Sequence, residues 1–327
     1  MIRQCASTIL LLAAAAIVAG CDDGIQAGSP WQPDTGDDDD DTGSAPDSDS
    51  DSDTGTAPDD PTASLAGTWG MLLDVSVLQG GLPILGSSPV ESRNWYLVEA
   101  TPDGDGGLVT SERLCAVQLI PETWVNHPVV PPAFVEHVAP LERRIGVGDG
   151  SHDTAWVSDR VCEVRGARLC DPAVDPLPGP DQGADGAAGC DEPCDGAACD
   201  QDEDGMPGMT TWLTGFYNCA VHATHRWCSR LEGVAKDEDA ISGLVTGLAS
   251  EQVVLGSSST FCQTGSTVAV PDPCAARQYF EMVRLPENAA CEDVLALTGC
   301  DEDAAACAAD PALPLDPRGD AFDEPCP

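Results

Sequence analysis

The stretch Asp200-Gln-Asp202-Glu-Asp204-Gly205 is where residue types and spacing in this chain could do chemistry. Carboxylates at alternate positions, followed by a glycine that permits a sharp turn, can converge on one point. Three such groups suit a hard divalent cation, above all calcium, which takes six to eight oxygen ligands. The competing reading is a plain acidic turn leading into a strand at Thr210. Thiolate zinc is a weaker fit, because Cys190-x3-Cys194-x4-Cys199 lacks a second pair at zinc-site distance. Catalytic groupings are scarce. Gly150-Ser151-His152-Asp153 sets triad residue types side by side, whereas a triad needs adjacency in space. No Gly-x-Ser-x-Gly, His-Glu-x-x-His or phosphate-cradling glycine loop occurs. His222 and His225, three apart in an expected strand, point to opposite faces and cannot share a metal. No catalytic residue is assigned and a non-catalytic chain is expected, with an exported enzyme of unidentified class as an alternative.

The acidic stretch resembles the calcium loops of EF-hands, dockerins and thrombospondin type 3 repeats. That resemblance adds the backbone carbonyl of the seventh position, Met206, to Asp200, Asp202 and Asp204 as ligands. Position twelve is Thr211, where an EF-hand carries a bidentate glutamate, and Pro207-Gly208 opposes a following helix. The loop is therefore a truncated one, to be completed by Asp191, Glu192, Asp195 or Glu203, with a modest affinity of roughly 10⁻⁴–10⁻³ M.

A second chemical signal lies at the N-terminus. Arg3, an apolar run from Ile9 to Ala19 and a small-residue site make the three parts of a secretory signal. The run is shorter than the ~20 apolar residues that cross a bilayer. Val18-Ala19-Gly20-Cys21 resembles the lipobox of bacterial lipoproteins. The resemblance implies cleavage before Cys21 and a diacylglycerol thioether, with further acylation, on its sulfur. The implied location is the bacterial cell envelope, outside the cytoplasm, with the outer membrane or cell surface favoured. A signal that is simply cleaved near a cysteine is the alternative.

Composition narrows the rest. The chain has 14 basic and 56 acidic residues. Such a charge repels phosphate backbones, which excludes nucleic acid as a partner and favours cations. Of 16 cysteines, Cys5 leaves with the signal and Cys21 takes lipid, so an even number remains in an exported chain. That implies a disulfide framework whose connectivity sequence cannot give. Nearest-neighbour pairing would join Cys219 to Cys228, Cys262 to Cys274 and Cys291 to Cys300.

Between the lipobox and the domain, Asp37 to Asp41 run together, and Asp47, Asp49, Asp51 and Asp53 alternate with serine. No basic residue occurs between Arg3 and Arg93. Such a segment cannot bury enough apolar surface to offset its ordering entropy and is expected to be disordered. The organisation read here is a signal peptide at 1–20, an acidic tether at 21–63, a β-domain at 64–285 with a Cys/Asp/Gly-rich insertion at about 171–206, and a Cys-containing tail at 286–327.

Trp69, Met71, Leu73, Val75 and Val77 alternate with Asp74 and Ser76, the period of a half-buried strand. Asn94–Ala100 and Leu108–Ile120 flank the turn formers 101–107 as a hairpin. Pro121–Pro140 reads as an irregular loop. Further strands are expected at Ala155–Val164, Thr210–Cys219, His222–Val234, Ala240–Leu248, Gln252–Ser258 and Arg277–Leu285, with one short helix at Ala289–Leu297. The insertion lacks an apolar set and should be held by disulfides. The fold class expected is all-β, a single antiparallel barrel or sandwich.

Ala66-Gly67-Thr68-Trp69 at the start of the first strand resembles the Gly-x-Trp opening of lipocalins and related calycin barrels. That resemblance implies an arginine near the last strand, Arg284 or Arg277, packed over Trp69. It also implies a carrier of a small apolar ligand. The other functions open to the sequence are an envelope domain that binds a protein or glycan, or one with a structural role.

Overall fold

The alternating stretch that begins at Gly67 forms β1 (Gly67–Gly80), and its odd-numbered side chains Trp69, Met71, Leu73 and Val75 are all buried. The computed structural model describes residues 61–80, 87–121, 126–148, 154–180, 189–215, 218–259, 262, 267–274 and 277–298. The expected signal, Cys21, nearly all of the tether, Gly150–Asp153 and the cysteines from Cys300 onward lie outside these residues. All the described residues belong to the compact unit Thr56–Pro327.

The described chain is all-β with three short helices. After α1 (Pro61–Leu65) and β1 come β2 (Ser87–Pro102), β3 (Gly107–Pro121), β4 (Asn126–Val129), α2 (Pro132–Glu136), β5 (Leu141–Val147), β6 (Thr154–Ser158) and β7 (Val161–Arg165). The second half of the chain adds β8 (Met209–Gly215), β9 (Cys219–Ala235), β10 (Ala240–Ser257), β11 (Thr267–Pro271), β12 (Gln278–Arg284) and α3 (Cys291–Thr298). Eight strands pair in a ring, β1-β2-β3-β5-β6-β9-β10-β12 and back to β1, every pair antiparallel. The fold is therefore a barrel rather than an open sandwich, and closure leaves the ring without an exposed edge. Eight strands enclose a space that side chains can fill. Here Trp69, Tyr96, Leu108, Ile145, Trp156, Ile241, Phe280 and Met282 belong to one buried cluster. β7 and β8 extend from β9, β4 extends from β8, and β11 pairs with β10 and β1.

The ring closes where glycine permits it. Gly233 of β9 stands opposite Gly243 of β10. A Cβ on Gly233 would lie 2.8 Å from the ring of Phe280, and one on Gly243 only 2.3 Å from the Gly233 Cα. At the adjoining end, the Arg284 guanidinium carbon stands 4.2 Å from the centroid of the Trp69 ring. Arg284 also donates to the carbonyls of Ala66, Ser64 and Glu238, holding the chain that enters β1.

Several expectations need correction. Pro121–Pro140 is not wholly irregular: it contains β4 and α2, and β4 is an edge strand, where Pro128 removes no inner ladder bond. Ala155–Val164 divides into β6 and β7, while the stretches 240–248 and 252–258 merge into β10 across a bulge between Thr246 and Ala249. The outward residues Asp74 and Ser76 are buried, Asp74 paired with Arg93 at 3.1 Å and Ser76 bonded to Asp272 at 3.0 Å. Beside them α3 covers Leu72, Trp95 and Leu97 through Val294. The insertion does pack, through Leu177, in one cluster with Ala167, Leu169, Val164 and Val253.

Among the described residues the disulfides are Cys115–Cys291, Cys162–Cys228, Cys170–Cys194, Cys190–Cys199 and Cys219–Cys262. None of the nearest-neighbour pairs occurs. Cys219 and Cys228 share the extended strand β9, so nine residues hold them about 30 Å apart. A disulfide needs Cα atoms within about 7 Å. Cys115–Cys291 spans 176 residues and pins α3 against the outside of the barrel.

Replacing Gly233 by Ala should destabilise the protein by about 1–3 kcal/mol through overpacking against Phe280 and the β10 backbone. Thermal melting of Gly233→Ala beside Gly179→Ala, whose Cβ site is open and whose φ is not positive, checks this; equal losses would remove the packing argument.

Candidate metal centre

The end of the insertion, just ahead of β8, brings the three aspartates of the sequence motif together. Asp200, Asp202 and Asp204 each offer an oxygen, and these oxygens lie within 4.8 Å of one another. Local chemistry shapes the loop. The backbone N–H of Asp204 donates to Asp200 Oδ1 at 3.2 Å and that of Gly205 to Asp200 Oδ2 at 2.8 Å, an aspartate-nucleated turn. Glu203 and Gly205 take positive φ, +54° and +85°, to complete it. Gly208 then lies directly on β9, where a Cβ would meet the Ala223 carbonyl oxygen at 2.7 Å.

Asp200 and Asp202 are buried and Asp204 is exposed. Asp202 Oδ2 accepts from the Thr210 N–H at 2.9 Å, while Asp202 Oδ1 is buried with no hydrogen-bond partner. Asp204 Oδ2 accepts from the Thr210 hydroxyl at 2.6 Å, so His222 Nδ1, 2.9 Å from that hydroxyl, is the donor to it. Burial lifts the Asp202 carboxyl above the usual carboxylate range; the Thr210 N–H opposes this, and the charges of Asp204 and Asp200 reinforce it. Two oxygens bound at about 2.4 Å to one ion lie at most about 4.8 Å apart, so the three aspartates could each offer an oxygen to one calcium ion. Met206 contributes an N–H to Asp204 Oδ1 at 2.8 Å and an exposed side chain. The expected completing groups are elsewhere: Arg168 takes Asp195 at 2.6 Å, and Glu203 faces His137 at 3.2 Å. Asp191 and Glu192 are exposed and not part of the group.

Gln201 anchors the loop from within. Its Oε1 accepts from the Gly166 N–H at 2.9 Å and its Nε2 donates to the His137 carbonyl at 2.6 Å. Bridges from Asp200 to Gly189 and Gly208 complete a scaffold stapled by Cys190–Cys199.

A second polar cluster, unread in the sequence, lies inside the barrel. Arg143 Nε meets both oxygens of Glu112, at 2.8 and 2.9 Å, and its Nη groups donate to Ser229. Glu163 Oε1 accepts from Arg165 at 2.5 Å, and its Oε2 accepts from Tyr96 at 3.2 Å and Trp227 at 3.1 Å. Arg165 also donates to Asn94 and stands 5.4 Å from the centroid of the Phe134 ring. Burial raises the Glu112 carboxyl despite Arg143. Burial also acts to raise Glu163, but Arg165 and the bonds from Trp227 and Tyr96 hold it below its ordinary value. Every oxygen of the two carboxylates is engaged, so the cluster fixes strands to one another and leaves no free acid or base. The available signal was parity: Thr110 and Glu112 share the inward face of β3 with Leu108 and Leu114.

His222 and His225 both lie in β9 and make separate contacts, His225 through Nε2 with Ser250 Oγ at 2.9 Å. No protein family, curated protein or solved structure matches this chain.

Burial and the neighbouring Arg165 lower His225 to about 4. Between its ordinary value of about 6.5 and 4, the unfolded chain binds a proton that the folded one refuses. This contribution is full above pH 6.5 and is lost as pH falls towards 4. The melting temperature of the native protein should therefore drop more steeply from pH 6.5 to 4 than that of His225→Gln; parallel curves would reject the assignment.

Proposed function

We propose that this chain is an exported, lipid-anchored envelope protein whose β-barrel has a structural or binding role, with its appended loop held by calcium at Asp200, Asp202 and Asp204. The observation that carries the calcium reading is the Asp202 carboxylate, buried beside two others with one oxygen unpartnered. Ionised carboxylates so close repel one another, and a divalent cation removes that repulsion. The Met206 carbonyl would add a fourth protein oxygen. The exported, anchored setting rests on the N-terminal sequence and agrees with five disulfides among the described residues. The non-catalytic reading rests on the sequence, which carries no recognised catalytic motif.

A second reading, a calycin-like carrier, has the eight-strand ring and the Arg284–Trp69 stack in its favour. The side chains that fill the interior, among them Trp69, Trp156 and Phe280, favour the structural role.

Calcium at 10 mM, with a dissociation constant near 10⁻³ M, should stabilise the protein by about 1.4 kcal/mol. Magnesium, which demands tighter octahedral geometry, should do less. Asp202→Asn should melt higher than the native protein in chelator, because a repulsive charge is gone, and lose the calcium shift. A native melt indifferent to calcium, or an unchanged shift in Asp202→Asn, would sink the metal centre. The anchor is checked separately by mass spectrometry of the N-terminal peptide from a bacterial host. It should begin at Cys21 and carry a diacylglycerol thioether; an unmodified Cys21 overturns the anchor.

A further inference from the structure

A cleft of about 360 Å³ opens on the barrel wall where β9, β10 and β11 meet. Leu248, Ala249, Ala269, Val270 and Pro271 give it an apolar lining, and Arg160 stands among the lining residues. Its volume is at the small end of the range for small-molecule sites, about 300–1,000 Å³. Among the described large hydrophobic residues, Val174 at 74% and Val270 at 59% are the most exposed. Val270 lines the cleft, an exposed apolar side chain in a concavity that also presents Leu248 and Pro271.

The charge of the cleft selects the ligand. Eight described arginines stand against carboxylates, as expected where acids outnumber bases 56 to 14. Arg113, Arg144 and Arg160, all exposed, have no carboxylate against them among the described residues, and of these Arg160 alone lines the cleft. Its Nε donates to the Gly247 carbonyl at 3.0 Å and its Nη1 to Cys162 Sγ at 3.9 Å. Gly247 offers that carbonyl from the β10 bulge, at φ +59°. The guanidinium is thus held by the backbone, with Nη donors left for an outside acceptor. The other guanidinium in the cleft, Arg226, is paired with Glu251 and bonded to the carbonyls of Pro172 and Asp175. One unneutralised positive charge remains, and Glu251 opposes a doubly charged phosphate.

We propose that this cleft binds a monocarboxylate with a short apolar body, its carboxylate on Arg160 and its hydrocarbon against Leu248, Val270 and Pro271. Such a charge-assisted bond is stronger than a neutral one, and apolar burial adds to it. The site is separate from the aspartate loop and does not depend on calcium.

Octanoate is the probe, titrated calorimetrically into the full chain in calcium and again in chelator, with 1-octanol as the uncharged control. Octanoate should bind saturably in both buffers, and octanol at least tenfold more weakly. Arg160→Gln should weaken octanoate at least tenfold and leave octanol unchanged, while Arg113→Gln, an exposed arginine outside the cleft, changes neither. Val270→Ser should weaken both ligands, and it tests the site if Arg160→Gln fails to fold. Octanol binding as tightly as octanoate, no saturable octanoate binding, or indifference to the variants would overturn the proposal. Loss of the calcium shift alone would leave it standing.

Discussion

Two ion pairs, Arg143–Glu112 and Arg165–Glu163, are enclosed by the barrel, and the rest of the structure has to be arranged around their needs. A buried pair is a poor source of net stability, because desolvation offsets its attraction, yet removing one member costs about 3–5 kcal/mol. Such pairs persist only when every remaining donor and acceptor is matched. Here the matching groups come from three strands of the ring: Tyr96 and Asn94 on β2, Thr110 on β3, Trp227 and Ser229 on β9. A strand slipped by one residue would turn these groups outward and strand a charge inside. The network therefore specifies register in a way that an interior of interchangeable aliphatic side chains would not.

The same constraint explains the division of labour along the chain. The ring carries the packed interior and has no edge, so the candidate sites fall outside that interior. The aspartate loop hangs between β7 and β8, while the cleft lies on the outer wall where β9, β10 and β11 meet the start of the insertion. The insertion has little apolar content of its own. Cys170–Cys194 and Cys190–Cys199 supply the restraint that a core would otherwise supply, by reducing the freedom of the unfolded loop.

What could be read from the sequence was what one strand reveals about itself. Trp69 to Val77 alternate, and β1 follows; the turn formers 101–107 separate β2 from β3; Ala289–Leu297 is close to α3. The carboxylate convergence at Asp200, Asp202 and Asp204 was also legible, because its geometry is local. Burial of Asp74 and Ser76 was not, since what packs on the outside of β1 arrives from distant parts of the chain, Asp272 among them. Glu112 and Arg143 are 31 residues apart and meet only because β3 pairs with β5. Cysteine pairing failed for the same reason: adjacency in sequence places Cys219 and Cys228 far apart once β9 is extended.

The acidic excess gives these features a common physical setting. A chain with 56 carboxyl side chains and 14 bases repels itself, and the bases are too few to neutralise it pair by pair. The described structure answers in three ways that do not need more arginine. Backbone N–H groups cap carboxylates, as at Asp103, Asp171 and Asp200. Covalent bridges hold segments whose charges favour expansion. Where buried carboxylates crowd with an oxygen still unpartnered, at Asp202, the repulsion left over is the attraction that a cation would feel. Against that background Arg160 is exposed to water and anchored to the Gly247 carbonyl instead of an acid, so it stands as an unpaired positive charge beside an apolar cleft, the setting in which an added carboxylate would find it.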